Sequence, residues 1–343
     1  MHYLAPLAPR CYDEPMTPRS DSLPDFARTG INLASPQLGA EALSATDDFF
    51  ADKARMLQDS PAVFIPDKYD ENGKWMDGWE TRRKRGPGHD SCVVKLGCKG
   101  VIRGVDIDTS HFTGNYPPAA SLEASVDGNR WTEILPAQSL GPSAHHFFAV
   151  ASGEAWTHVR LHIYPDGGVA RLRVYGEPVP AWDSGDKRSV HELSLASNGG
   201  RIVGYNDAHY GSVWTLLTAG RGINMGDGWE TRRRREPGHD WIIVKLGAPG
   251  IVERIVVDTC HYKGNYPDRC SLQAALVTAG TDETVITQAM FWPKLMREQT
   301  LGPDQIHTYA ADKIEALGPV SHVQLNIHPD GGVSRLRIFG RLA

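Results

Sequence analysis

The string DGWETRRKRGPGHD at residues 77–90 returns as DGWETRRRREPGHD at residues 227–240. Extended to residues 77–97 and 227–247, the two stretches are identical at 16 of 21 positions, too many for chance or for a shared local motif. Three further pairs follow in the same order. DTSHFTGNYP (108–117) answers DTCHYKGNYP (258–267), and HVRLHIYPDGGVARLRVYG (158–176) answers HVQLNIHPDGGVSRLRIFG (322–340). Earlier, NLASPQLG near residue 32 echoes SLASNGG near residue 194. The offset drifts from 150 to 164, so insertions fall between the matched blocks. A unit near 160 residues is far longer than a solenoid repeat and is the size of a domain. The chain is therefore a tandem duplication. The expected layout is a tail at 1–19, repeat one at 20–178, a linker at 179–189 rich in Pro, Gly and charge, and repeat two at 190–343.

Each repeat reads as β. Val159, Leu161 and Ile163 alternate with Arg160, His162 and Tyr164, and Leu172 and Val174 alternate with Arg171 and Arg173. A period of two marks strands with one buried face. PDGG between them predicts a hairpin reversal. CVVKLG, VIRGVDIDT and their counterparts read as further strands. Short helices are expected only at 46–57 and 311–317. Many short strands joined by Gly/Pro turns predict an all-β fold: two jelly-roll β-sandwiches of the discoidin or galactose-binding type.

A formal charge of −5 argues against a nucleic-acid partner, despite the RRKR and RRRR runs. No apolar run approaches the roughly 18 residues that cross a bilayer, and the first residues lack the pattern of a secretory signal. The five cysteines are odd in number and form no CxxC pair. They are expected to be reduced thiols in a cytoplasmic protein.

Comparing the repeats separates packing from chemistry. Apolar positions have drifted, as Val105 to Ile255 and Val174 to Ile338. Charged positions have not. His89, Asp90, Asp108 and His111 reappear as His239, Asp240, Asp258 and His261. These groups are expected to gather at strand ends in one cleft per repeat and to transfer protons there. Blander readings stand beside this one. Asp166 and Asp330 are good turn residues. Trp79 and Trp229 suit a core, and Lys84, Arg85, Arg234 and Arg235 suit a solvated face. In an extended WETRR, Glu80 and Arg82 share a face and can form a structural ion pair. Whether a divalent metal is bound stays open: His and Asp are suitable ligands, but their spacing matches no metal motif. No GxSxG elbow or phosphate loop is present.

DGWETRR, PGHD, DTxHF/YxGNYP and PDGGxxRLRxxG, each present twice and in order, resemble the allantoicase family over nearly the whole chain. The resemblance implies hydrolysis of allantoate to ureidoglycolate and urea, in allantoin breakdown, and homo-oligomeric association. Under it, Glu80 and Glu230 join the His-Asp pairs as acid–base candidates. Arg82, Arg171, Arg232 and Arg335 become candidates for the substrate carboxylate, and Asn115 and Asn265 for its ureido groups. GHDSC in repeat one faces GHDWI in repeat two, so a site walled by Trp241 is less complete in repeat one. The rival reading is a non-catalytic pair of jelly rolls that binds sugars or another polar ligand. Retention of His, Asp, Glu and Arg favours the enzyme.

Overall fold

The computed structural model describes residues 23–182 and 188–343; the expected tail, Cys11 and the middle of the linker lie outside them. Repeat one opens with a short helix, α1 (Asp25–Thr29), followed by β1 (Ile31–Asn32), β2 (Glu41–Ala45), β3 (Tyr69–Asp70), β4 (Gly73–Lys74) and β5 (Trp79–Glu80). Then come β6 (Asp90–Asp108), β7 (Ala119–Ser125), β8 (Thr132–Ser139), β9 (His145–Ala149), β10 (Ala155–Tyr164), β11 (Gly168–Val169) and β12 (Arg171–Pro178). Strand β6 merges the two strands read from the sequence and organises the repeat. Its first half pairs with β2 and β10, and its second half with β9 and β12. Strands β7 and β8 extend the first layer, and β1 the second. One long strand thus serves both layers of the sandwich.

Repeat two copies this plan with β13 (His191–Glu192), β14 (Arg201–Tyr205), β15 (Trp229–Glu230), β16 (Asp240–Asp258) and β17 (Arg269–Ala275). After helix α2 (Asp282–Ala289) follow β18 (Lys294–Thr300), β19 (Ile306–Tyr309), β20 (Val320–His328), β21 (Gly332–Val333) and β22 (Arg335–Leu342). Strand β16 plays the part of β6. Inward residues form one core per repeat: Val94, Val105, Ile107, Leu161 and Val174 in the first, and Val244, Ile255, Val257, Leu325 and Ile338 in the second. Burying each such side chain is worth about 1.5–3 kcal/mol.

Two expectations fail. The PDGG strands are not a hairpin, because β10 and β12 pair with different halves of β6 and not with each other. PDGG carries the chain from one layer to the other, and on the way β11 pairs with β5. The expected helix at 46–57 shrinks to a 3-10 turn at Lys53–Leu57, and 311–317 is not helical. The longest helix among the described residues, α2, sits in the insertion that causes most of the offset drift. Repeat one joins β7 to β8 through residues 126–131, whereas repeat two spends 276–293 on the same connection.

The four described cysteines are free thiols. Burial pushes Cys92 and Cys270 up to about 12 and Cys98 to about 11, values of inert core thiols. Among the described residues no helix is long and apolar enough to cross a membrane.

Candidate active site

Strand β5 stops at Glu80, and residues 81–85 leave strand geometry. The alternation expected for WETRR stops with it, so Glu80 and Arg82 do not pair. Arg82 Nε bonds Asp47 Oδ2 at 3.0 Å, and Arg232 repeats the contact with Asp207. Glu80 Oε1 instead accepts from Asn115 Nδ2 at 2.6 Å. Glu230 and Asn265 form the same bond.

That contact is built by the two glycine-containing motifs. Gly167 has φ +141°, and a Cβ there would meet Pro117 N at 2.6 Å and Asn115 O at 2.8 Å. The close approach lets Gly168 N donate to Asn115 O at 2.7 Å. Gly168 also pairs with Glu80 across β11 and β5. Only glycine permits both the backbone angle and the approach. PDGG and GNYP therefore recur together because each presses the other toward Glu80. Gly331, at φ +137°, does the same against Asn265.

The result is a cavity of about 510 Å³ in repeat one, whose lining includes Phe50, Glu80, Arg83, Lys84, Asn115 and Asp166. A cavity of about 370 Å³ in repeat two has Arg233, Arg234, Tyr266 and Asp330 on its walls. Burial raises the Glu80 carboxyl above its ordinary value, and Asp70 adds to the rise; the bond from Asn115 only partly opposes them. Arg83 and Arg233 have no hydrogen bond or ion pair among the described residues. Lys84 is held in place twice: its backbone N–H donates to Asp166 Oδ2 at 2.7 Å, and its Nζ meets the buried Asp90 at 2.8 Å. Arg234 matches it against Asp330 and Asp240. Lys84 and Arg234 are thus rim residues, not a solvated face, and Asp166 and Asp330 orient them.

The single His-Asp cleft per repeat is not formed. Asp90 and Asp240 reach the cavity only through Lys84 and Arg234. His89 lies on an outer sheet face, Nε2 2.8 Å from His162 Nδ1, while His162 Nε2 meets Glu123 at 2.7 Å. His239 faces Asn326 at 3.2 Å. His111 and His261, both at φ 69°, tether a loop through Nε2 to the carbonyls of Ala62 and Gly222. Asp108 and Asp258 fold the turn, accepting from the backbone of Ser110 and Cys260. Asp108 also faces a separate pocket with Asp106, His145 and Arg173.

Arg171 and Arg335 are not placed to take a substrate carboxylate. Both are almost wholly buried. Arg171 NH2 pairs with Asp77 at 2.7 Å, and its other nitrogens donate to the carbonyls of Ser60, Asp77 and Ala170. Arg335 pairs with Asp227 at 2.8 Å. Trp241 does not wall the cavity either: it packs with Ile243, Val285 and Trp292 beneath α2. Repeat one has no such helix, so Ser91 at that place does not make its cavity less complete. Among the described residues no three His, Cys, Asp or Glu gather as metal ligands.

Fold and cavity together define a tandem β-sandwich protein that holds, in repeat one, a polar pocket combining a carboxyl, an amide and a guanidinium unpaired among the described residues, with the same Glu–Asn pair and an arginine-lined cavity in repeat two. Comparison with known proteins narrows the class. The Allantoicase repeat family matches residues 31–179 and 191–343. A probable allantoicase of Burkholderia mallei is 58% identical over 95% of this chain and 98% of its own. A probable allantoicase of Ralstonia nicotianae is 57% identical over 93% and 97%. The crystal structure of allantoicase from Saccharomyces cerevisiae superposes with a TM-score of 0.78 at 35% identity, covering 91% of this chain and 93% of that one. The chain belongs to the allantoicase family.

Proposed function

We infer that this chain hydrolyses allantoate to ureidoglycolate and urea, and that the chemistry takes place at the Glu80–Asn115 and Glu230–Asn265 pairs. The observation that carries the site assignment is the Glu–Asn pair at a strand end, beside an arginine that no other group among the described residues engages. Allantoate is an acetate whose central carbon bears two ureido groups. Arg83 or Arg233 receives the carboxylate through a two-point fork. The Asn115 amide donates to Glu80 and leaves its carbonyl free for a ureido N–H.

The reaction breaks one C–N bond and forms one C–O bond. The departing ureido nitrogen takes a proton and leaves as urea, and water supplies the hydroxyl that stays on the central carbon. Glu80, raised by burial, keeps its proton to a higher pH than an exposed carboxyl does and is placed to deliver it to that nitrogen. As its conjugate base it then takes the proton from the incoming water. The anchored cation of Lys84, matched by Arg234, favours the anionic substrate and the charge left on Glu80.

Glu80→Gln, Glu230→Gln and the double variant test the assignment through urea release. With both repeats active, each single variant retains about half of the turnover. The double variant falls roughly 10²–10⁴-fold, the worth of a general acid–base group. A double variant with full turnover overturns the site. The alkaline fall of kcat in the Glu230→Gln enzyme reports deprotonation of Glu80. Arg83→Ala in that background raises KM by about tenfold with little change in stability.

A further inference from the structure

The outer face of the second layer differs between the repeats in a way the fold does not require. In repeat one, Asp106, Asp108, His145, Arg173 and Tyr175 meet around a pocket of about 200 Å³. The strand register places Val256, Ile306 and Phe339 in repeat two where Asp106, His145 and Tyr175 stand in repeat one. The same sandwich is thus built with and without these polar groups. Burying them has a desolvation cost that repeat two avoids.

Within this pocket, Asp106 Oδ2 holds His145 Nδ1 at 2.7 Å. His145 Nε2 then faces Asp108 Oδ2 across 3.9 Å, too far for a hydrogen bond. Asp108 is 2% exposed, and its Oδ2 has no hydrogen-bond donor among the described residues. In repeat two the matching oxygen of Asp258 accepts from Arg221 Nε at 3.3 Å. With the His145 ring deprotonated, repeat one presents two acceptors, the imidazole Nε2 and a carboxylate oxygen, with a gap between them. An –NH2 group about 3 Å from both donates one hydrogen to each. Asp59, Asp106 and Asp108 make the surroundings acidic, and the charges of Arg171 and Arg173 only partly offset them, so a neutral donor suits the pocket better than an anion.

We propose that repeat one carries a second binding site, between His145 and Asp108, for the –CO–NH2 end of urea or of a ureido compound. It goes beyond the catalytic assignment, since it needs no turnover. Protonation of His145 closes the site, because Nε2 then becomes a donor that Asp108 takes for itself. The groups facing His145 are Asp59, Asp106, Asp108, Arg171, Arg173 and Tyr175. Burial lowers the imidazole, but the bond to Asp106 and the charges of Asp106 and Asp108 outweigh it and raise the value. Binding is therefore strong on the alkaline side of that value and lost as pH falls through it.

The test follows the His145 ring resonance of the full chain by NMR, assigned through its loss in His145→Ile, during titration with urea. At pH 8 the resonance shifts saturably; at pH 5 it does not. Tetramethylurea, which has no N–H, leaves it unmoved. N-carbamoylglycine separates the sources: comparable binding marks a ureido acid as an occupant, and binding of urea alone marks the small product. Asp108→Asn weakens urea about tenfold, the worth of one charged hydrogen bond. His145→Ile, which installs the residue repeat two already accommodates, abolishes binding by saturation-transfer NMR. The Glu80→Gln/Glu230→Gln enzyme keeps the urea response, which separates this site from the catalytic one. No shift at pH 8, an equal shift with tetramethylurea, or unchanged affinity in both pocket variants overturns the proposal.

Discussion

The outer face of the β7–β10 layer is open in repeat one, whereas the matching β17–β20 face in repeat two is roofed. In repeat one it carries Glu123, Arg160, His162 and His89 linked by hydrogen bonds, with Arg160 over the Trp131 ring. In repeat two, α2 and Trp292 cover it, and the matching positions are Gln273, Gln324, Asn326 and His239. A chain of amides takes the place of the ions: Gln324 donates to Asn326, and Asn326 to Gln273. Burial explains the exchange. Under a roof an ion pair loses hydration that its mutual attraction rarely repays, while an amide network stays satisfied. The Glu80–Asn115 and Glu230–Asn265 pairs, and the glycine approach behind each, show no such divergence. Faces drift with their cover, and the cavity framework has held against it.

The largest expected effect tests that framework. Arg171→Leu and Arg335→Leu each leave a buried aspartate, Asp77 or Asp227, without its partner. The cost is about 3–5 kcal/mol in chemical denaturation. The two are not expected to be equal. Arg171 Nε donates to Ser60 O, whereas Arg335 Nε is buried without a partner. Arg171 also donates to the carbonyls of Arg55 and Pro61, contacts Arg335 does not have, so Arg171→Leu costs more by about 1–3 kcal/mol. Equal losses, or a larger loss in repeat two, break the comparison.

The roof itself makes the next prediction. His322 is buried near Trp292, with ring centroids 6.1 Å apart. Burial, helped by the charges of Lys245 and Arg201, lowers it to about 4. The folded protein holds this ring neutral while the unfolded chain takes up a proton below about 6.5. Stability on this account falls as pH drops from about 6.5 toward 4, and no further below that. At pH 5 the loss is on the order of 2 kcal/mol, and His322→Gln removes it. Its counterpart His158 is also lowered by burial and by Lys95, but it is only half-buried on the open face. His158→Gln moves the acid limb less. A comparable gain from both variants would show that the roof is not the cause.

The duplication made the architecture legible. Period-two alternation in Leu161, Ile163, Leu172 and Val174 marked the strands, and the four motifs repeated in order marked the two units. The sandwich and its tandem layout followed. Connectivity did not, because a PDGG turn has the same local chemistry in a hairpin and in a crossover between layers. Helix α2 escaped notice because it occurs once and its apolar residues form no clear stripe. The site was half legible. Glu80 and Asn115, 35 residues apart, were both retained charged or polar groups, but nothing in the spacing joined them to each other or separated them from His89 and His111. Arg83 and Lys84 were hidden in a basic run whose extended reading fails once the strand ends at Glu80. Asp106 and His145 were invisible to a comparison of repeats, since repeat two has no counterpart for either. What the sequence retains twice is framework as often as chemistry, as the buried Arg171–Asp77 pair shows.

The smallest expected effect separates two neighbours that the sequence treats alike. Arg82 and Arg232 are 63% and 69% exposed at the side chain and pair with Asp47 and Asp207. Exposed ion pairs of this kind are worth about 0–1 kcal/mol. Each also donates its backbone N–H to the same aspartate, a bond that survives truncation of the side chain. Arg82→Ala and Arg232→Ala are therefore expected to shift the denaturation midpoint only slightly and to leave the KM for allantoate within about twofold. Arg83→Ala, one residue along, has the opposite profile, with unchanged stability and a raised KM. If Arg82→Ala raises KM as Arg83→Ala does, the guanidinium that holds the substrate carboxylate lies on the Asp47 side of the strand end, and the cavity assigned to Glu80 is open toward the wrong arginine.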